Sequence, residues 1–366
     1  MKLSKLQLIS FRNYDKFELE FDNEKPVTLI TGENGKGKTN ILEAIYLLSI
    51  GKTFRGAHQE DLIKWGMDYF TVKGELRLDN ETDETTNLDV SFSTYPRKMK
   101  SFRINEVKTP HTDYLGTFIT VLFHPKDLNM LYLEPSLRRK YLNLILSQTD
   151  KYYLEALTNY TKILKQRNAL LEEIGNGSHS QAELDVWDER LVGEGQILIE
   201  KRQELIIFFN SHIQALYRKI SGGKESLTIE YNSSAGPAMA EPPAVPGDYL
   251  KRLRLKRDKD IRYGTTTIGP HRDDIKFLLN GRSIEEFASR GEFRTILIAL
   301  KITEIAYIKK VKKHYPVLLL DDVFSELDEG RQEHLFKAIE GCQAIITTTE
   351  LPDKTIDKKF NYRLDL

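Results

Sequence analysis

Two short segments near opposite ends of the chain constrain its fold more than anything between them. Gly32-Glu33-Asn34-Gly35-Lys36-Gly37-Lys38-Thr39 fits G-x-x-x-x-G-K-[ST] without a mismatch. It lies between a strand-like run, Pro26 to Ile30, and a helix-like one, Ile41 to Leu48, which is the setting a phosphate-binding loop requires. Glycines let the backbone turn its N–H groups toward phosphate oxygens, and the following helix adds its positive N-terminal dipole. At this spacing Lys38 reaches the β and γ phosphates and the Thr39 hydroxyl holds Mg²⁺. A Gly/Lys-rich surface turn is the plain alternative, and the flanking strand and helix weigh against it. The chain is expected to bind a nucleoside triphosphate.

The second segment is Val317-Leu318-Leu319-Leu320-Asp321-Asp322. A parallel strand is buried on both faces, so its interior is apolar, and its C-terminal end meets the ligand. Asp321 is thus expected to hold Mg²⁺ through water, and Asp322 to orient or deprotonate the attacking water. Alone, the run reads as readily as an ordinary strand with an acidic turn; beside a phosphate loop, the metal-site reading prevails. One compact mononucleotide fold does not separate its two halves by most of 366 residues unless something is inserted.

The residues between them supply the insertion. Leu3 to Phe11, Phe17 to Phe21, Val27 to Ile30, Phe70 to Leu78, Leu88 to Ser93, Ser101 to Ile104 and Ile119 to Phe123 read as strands. A polar acidic loop, Asp79 to Asn87, lies among them. From Pro135 to Ile220 apolar residues mostly recur at helical spacing, broken clearly only at Gly175-Asn176-Gly177-Ser178. One helix of about 23 residues, about 35 Å long, would bury Leu154, Leu157, Tyr160, Leu164, Leu171 and Ile174. A second would bury Trp187, Leu191, Leu198, Leu205, Phe209, Ile213, Leu216 and Ile220. Ser233 to Gly247 is rich in Pro, Ala and Gly and reads as a mobile loop. Strands are expected again at Thr265 to Ile268, Ile275 to Leu279, Val317 to Leu320 and Ala344 to Thr348, with helices at about Glu292 to Lys312 and Arg331 to Ile339. The fold class is therefore α/β, a P-loop ATPase head with a mixed sheet and an inserted α-helical arm. Its N-terminal lobe spans 1–130, the arm 131–250 and the C-terminal lobe 251–366.

Composition narrows the function classes. Lys+Arg and Asp+Glu both number 54, so any nucleic-acid surface is a local patch and not the whole chain. A single cysteine, Cys342, excludes an internal disulfide and a cysteine-based zinc site and suits a reducing compartment. The N-terminus alternates and is no signal peptide, and no apolar run approaches 18 residues. A cytoplasmic protein without a membrane anchor is expected.

Further segments acquire meaning from their order. Ser289-Arg290-Gly291-Glu292 opens the helix before the Asp321 strand, and Ser325-Glu326-Leu327-Asp328 follows the double aspartate. Phosphate loop, Ser-x-Gly-x, then four apolar residues with Asp-Asp and Ser-x-Leu-Asp is the order of ABC-type ATPases. More closely, the chain resembles the RecF family of SMC-related ATPases. The resemblance rests on Leu8 to Asn13, Gly32 to Asn40, Gly51-Lys52-Thr53-Phe54-Arg55, Pro135 to Leu142, Gly269-Pro270-His271-Arg272-Asp273-Asp274, Ser289 to Glu292 and Asp321 to Asp328. It runs from the first residues to about Thr349.

The resemblance implies a head that closes as an ATP-dependent homodimer, with DNA in the groove so formed. It implies action with RecO and RecR proteins at single-strand gaps, helping RecA filaments form. It places Gly32, Glu33, Asn34, Gly35, Lys36, Gly37, Lys38, Thr39 and Asn40 on the nucleotide. Ser289 and Gly291 would reach the γ-phosphate of the opposite subunit, and Asp328 would sit at the seam. Hydrolysis would be carried by Lys38, Asp322 and Ser289, with Thr39 and Asp321 on Mg²⁺, in a weak, DNA-dependent ATPase. Thr348 or Thr349 lies where related ATPases often have a γ-phosphate-sensing His. Position 292 departs from the pattern: it is Glu where the family usually has Gln, and a carboxylate beside a triphosphate must turn away or pair, for instance with Arg294.

DNA contacts need Lys and Arg but no fixed spacing. Candidates are Arg55, which could equally reach the nucleotide, then Arg138 and Arg139 of Arg138-Arg139-Lys140, and Lys251, Arg252 and Arg254 of Lys251 to Arg257. Lys309 to Lys313 is a further basic run. His271 and Arg272 read as structural, with Arg272 paired to an aspartate. The alternatives are the ATPase subunit of a transporter, or an SMC-like structural ATPase. The arm and Asp322 disfavour the first, and the missing heptads disfavour the second.

Overall fold

A computed structural model of the chain describes residues 1–22, 26–77, 84–236, 246–348 and 362–366. The loops expected at Asp79 to Asn87 and Ser233 to Gly247 lie partly, and Thr349 wholly, outside the described residues. The chain divides into two compact units, Met1–Asp127 with Leu297–Leu366, and Leu128–Ile296.

The elements begin with β1 (Lys2–Phe11), β2 (Tyr14–Glu20), β3 (Val27–Thr31) and α1 (Lys38–Ile50). β4 (Tyr69–Arg77), β5 (Thr85–Ser93), β6 (Met99–Ile104), β7 (Val107–Lys108), α2 (His111–Tyr114) and β8 (Thr120–Phe123) follow. Next come α3 (Asn129–Tyr132), α4 (Pro135–Thr149), α5 (Lys151–Gly175), α6 (Leu184–Ser221), β9 (Leu227–Asn232), α7 (Pro246–Leu255) and α8 (Arg257–Tyr263). The last are β10 (Asp274–Leu279), β11 (Arg282–Ser283), α9 (Ile284–Phe287), α10 (Arg290–Lys312), β12 (Val317–Asp321), α11 (Glu329–Ala338), β13 (Ala344–Thr347) and β14 (Tyr362–Asp365).

In the first unit the alternating segments pair as an antiparallel sheet in the order β2-β1-β4-β5-β6-β7, and the fully apolar ones as a parallel sheet ordered β14-β3-β13-β12-β8. Two-sided burial explains the difference in pattern. Helix α1 is buried from Ile41 to Ile50 on every side, as a helix between layers must be. Its close approach to the antiparallel sheet depends on Gly74 in β4, where a Cβ would lie 2.3 Å from Leu48 Cδ2. Leu29, Val121, Phe123, Leu318, Leu320 and Ile346 form the centre of the parallel-sheet core.

The second unit contains more than a helical arm. Helices α5 and α6, of 25 and 38 residues, pair, but a three-stranded antiparallel sheet, β11-β10-β9, belongs to the same unit. That unit runs on to Ile296, past the 250 at which the sequence reading ends the arm. The α5 face is met in part. Leu154, Tyr160 and Leu171 are buried as expected, joined by Tyr153, Ala156, Ile163, Arg167 and Leu170, whereas Leu157, Leu164 and Ile174 are half-buried. Asp150, which accepts from the Tyr153 N–H at 3.1 Å, caps α5 and separates it from α4, a break without glycine or proline. Thr265 to Ile268 is not a strand; Thr266 and Thr267 instead bond to Asn168 and Asp260. Among the described residues no helix is long and apolar enough to cross a membrane.

Candidate nucleotide-binding site

The phosphate loop occupies the turn between β3 and α1, with Gly32, Glu33, Asn34, Gly35, Lys36 and Gly37 preceding the first helical residue, Lys38. Gly37 caps α1 at φ 107°, and a Cβ there would come within 2.7 Å of Asn13 Nδ2 and the Tyr14 hydroxyl. Only glycine satisfies both the dihedral and the space. Lys38 is 8% exposed, and its Nζ donates to Gly32 O at 2.5 Å and Glu33 O at 2.9 Å. The ammonium is thus held by the loop it serves, at the positive end of α1.

The second half of the site meets the first directly. Thr39 Oγ1 donates to Asp321 Oδ1 at 2.9 Å, across 282 positions of sequence. Strand β12 lies between β13 and β8, and both neighbours reach its terminal carboxylate. Thr347, in register with Asp321, donates to the same oxygen at 2.8 Å. His124, just past β8, places Nε2 3.6 Å from Asp321 Oδ2. Burial lowers the His124 pKa while the Asp321 carboxylate opposes that shift. The Thr39 hydroxyl and the Asp321 carboxylate are oxygen ligands of the kind that suit a small hard cation, held directly or through water. Asp322 adopts a left-handed backbone, φ 50°, uncommon for a residue with a Cβ. Its N–H donates to Thr347 O at 3.1 Å.

Behind the loop, two of the segments singled out in the sequence converge on one buried carboxylate. Glu43, fully buried in α1, accepts from Arg12 Nε at 2.9 Å and from Arg12 NH2 at 3.0 Å. Thr53 Oγ1 also donates to it, and Arg55 NH1 lies 3.8 Å away. Arg55 NH1 donates to Asn40 Oδ1 at 3.0 Å, and Asn40 Nδ2 donates to Asn13 Oδ1 at 2.8 Å. Arg55 therefore braces the loop helix, with 36% of its side chain exposed.

Ser289 and Gly291 stand at the start of α10. The Ser289 N–H donates to Glu292 Oε2 at 2.7 Å, and the Glu292 N–H donates to Ser289 Oγ at 3.3 Å. This is a reciprocal capping box, so the Glu292 carboxylate turns back on its own helix. Asp328 caps α11 by accepting from the Arg331 N–H at 3.0 Å. Thr348 is 3% exposed and donates its N–H to Ile30 O at 3.2 Å; it is Thr347 that faces Asp321.

The DNA-contact candidates separate by burial. Arg138 is 3% exposed and forks onto Asp274 at 2.7 and 2.9 Å, with Glu285 at 3.0 Å; its charge is spent inside the unit, which removes it from any DNA-facing surface. Arg139 is half-buried, and Lys251 and Arg252 are exposed. Arg254 pairs with Glu189 at 3.4 Å and Asp185 at 3.5 Å. Sequence reasoning missed His124, Thr347 and the Glu43–Arg12 fork. A signal for His124 existed: the run Thr120 to Phe123 ends on a polar residue just as Val317 to Leu320 ends on Asp321.

Comparison with known proteins follows the same outline. The family described as RecF/RecN/SMC N terminal domain matches residues 2–357. Proteins called DNA replication and repair protein RecF from Bacillus thuringiensis (strain Al Hakam) and Bacillus cereus (strain B4264) are each 37% identical over 354 residues, covering 96% of this chain and 92% of theirs. The solved structure of a recombination mediator protein RecF with ATP, described in the RecFOR pathway, superposes with a TM-score of 0.88 at 35% identity, over 96% of this chain and 92% of that one. An Smc head bound to the C-winged helix domain of ScpA gives a TM-score of 0.56 at 16% identity, over 99% of this chain and 94% of that one, and shares the fold.

Proposed function

We propose, from the premise that this chain belongs to the RecF/RecN/SMC family and within it to the RecF proteins, that it is an ATP-operated DNA clamp of recombinational repair. It binds and slowly hydrolyses ATP, closes as a homodimer on gapped DNA in the cytoplasm, and helps load RecA together with RecO and RecR. The observation that carries the nucleotide part is the Thr39–Asp321 hydrogen bond, which unites the two halves of a divided site. A relative of this length and identity bound to ATP supports the same reading.

The residues divide the work. The loop N–H groups and the Lys38 ammonium bind the triphosphate, and Glu43, with Arg12 and Arg55 around it, keeps the loop helix in place. Thr39 and Asp321 hold Mg²⁺, which neutralises developing charge on the phosphates. Asp322 orients the attacking water; standing where many transporters have the longer Glu, it makes hydrolysis slow. Ser289 and Gly291 offer a hydroxyl and backbone N–H groups to the γ-phosphate of the opposite subunit, with Asp328 at that seam. The γ-phosphate then ties two surfaces together, and hydrolysis releases them. Arg55, Arg139, Lys251 and Arg252 are the remaining DNA contacts of this reading, with Arg254 already engaged.

The test is binding to gapped duplex DNA with ATP, with ADP and without nucleotide. Tight binding with ATP alone is expected, and binding indifferent to nucleotide would overturn the clamp.

A further inference from the structure

The turn Gly269-Pro270-His271-Arg272-Asp273-Asp274 is braced from every side except one. Arg202, 2% exposed, donates from NH1 to Pro270 O at 2.7 Å. The Gly269 N–H donates to Ser234 Oγ at 2.8 Å, and the Arg272 N–H closes the turn onto Gly269 O at 2.8 Å. His271 sits between Tyr160 and Thr266, with Nδ1 2.6 Å from the Tyr160 hydroxyl and Nε2 2.9 Å from Thr266 O. Both aspartates are consumed inward. Asp273 accepts from the Tyr231 hydroxyl and from the Ser234 N–H at 2.7 Å, and Asp274 takes the Arg138 fork.

Arg272 is what remains. It is exposed, it donates from Nε to Thr266 O at 3.3 Å, and neither aspartate of its own turn is left to pair with it. Among the described residues it makes no ion pair with an aspartate, contrary to the expectation from the sequence. Arg139 stands beside it, with NH1 donating to Asp273 O at 2.9 Å. Burial, and then the Arg202 and Arg272 guanidiniums, lower the Arg139 pKa, while the carboxylates of Asp274 and Asp273 oppose the shift. Lys140 follows, exposed. A fold that spends two carboxylates, two arginines, a serine and two tyrosines on fixing one turn, and leaves an exposed guanidinium next to a half-buried one, has prepared a place for an anion. Guanidiniums suit phosphate oxygens, and a rigid backbone spares them the ordering cost on binding.

We propose that Arg272 and Arg139 form a phosphate-binding pair for the DNA backbone, with the Gly269–Asp274 turn as its rigid mount. This rests on the DNA-binding reading above and names a contact within it.

The test compares full-length wild type with Arg272→Ala, Arg139→Ala and Arg272→Lys, binding gapped duplex DNA with ATP at a series of salt concentrations. Each alanine variant is expected to lose about tenfold in affinity and to lower the log–log salt slope by about 1 per phosphate contact removed. ATP binding and thermal unfolding of Arg272→Ala should match wild type, and Arg272→Lys should recover most of the affinity. Wild-type binding that depends on ATP while Arg272→Ala keeps both affinity and slope would overturn the pair and leave the clamp standing. No DNA binding by wild type would overturn both. Affinity for phosphatidylserine vesicles lost in Arg272→Ala, with DNA binding intact, would overturn it in favour of a membrane.

Discussion

Thr39 Oγ1 and Asp321 Oδ1 are 2.9 Å apart, and Thr347 shares that carboxylate oxygen at 2.8 Å. Two hydroxyls, one from the loop helix and one from the neighbouring strand, thus fix the carboxylate at the end of β12. Asp321→Asn keeps the volume but removes the charge that a divalent cation requires. ATP hydrolysis should fall by about two orders of magnitude, the several kcal/mol a metal contributes, while thermal stability changes little. Retention of magnesium-stimulated hydrolysis in this variant would sink the metal assignment.

Lys38→Ala removes the ammonium that Gly32 O and Glu33 O now hold. Nucleotide-dependent dimerisation, followed by light scattering, should disappear while the far-UV circular dichroism stays that of wild type. Unchanged nucleotide affinity would mean the loop binds something else.

Glu43 tests the brace behind the loop. With the carboxylate gone, the Arg12 guanidinium, whose side chain is 19% exposed, is left largely buried without its partner. Breaking such a pair costs about 3–5 kcal/mol. Glu43→Ala should therefore lower stability by that order in urea unfolding and weaken ATP binding as α1 loses its anchor. A loss under about 1 kcal/mol would show that Arg12 finds other partners.

Glu292 need not be read as a damaged motif. Its carboxylate accepts from the Ser289 N–H, and an amide oxygen at the same position accepts equally well. Glu292→Gln should leave stability and ATP-dependent DNA binding near wild type, whereas Glu292→Ala should cost about 0.5–1 kcal/mol. A large change in DNA binding for Glu292→Gln alone would place the charge, not the cap, at the heart of the motif.

How far the sequence revealed this molecule depended on whether a signal was local. The two sheets were legible because alternating and fully apolar runs differ in pattern, as Leu3 to Phe11 and Val317 to Leu320 do. The divided site was legible because Lys38, Thr39 and Asp321 sit in contexts with few other meanings. What failed depended on partners far along the chain. Arg138 looks like one of three surface cations until β10 brings Asp274 to it. Arg167 breaks no helical pattern, yet it is fully buried between Asp188 at 2.7 Å and Asp260 at 2.9 Å. Strand β9 was missed because it alternates for only six residues between a long helix and a proline-rich loop. Thr265 to Ile268 has β-branched residues suited to a strand, but Asp260 and Asn168 bind its backbone and hydroxyls first.

His271 links the braced turn to acid stability. Burial pushes its pKa down to about 4, helped by Arg272, Arg139 and Arg167, while the bond to Thr266 opposes the shift. The neutral ring is what the contacts require, with Nε2–H donating to Thr266 O and Nδ1 accepting from Tyr160. In the unfolded chain the imidazole takes its proton near pH 6.5. Because the folded pKa is depressed, this contribution is whole above about pH 6.5 and is lost as pH falls through about 4. By linkage, wild type should lose about 2 kcal/mol from this residue between pH 7 and pH 5. In urea unfolding at those two pH values, His271→Gln should be less stable than wild type at pH 7 and show a smaller drop on acidification. An equal drop in both proteins would mean the ring titrates normally and that the turn yields to the proton.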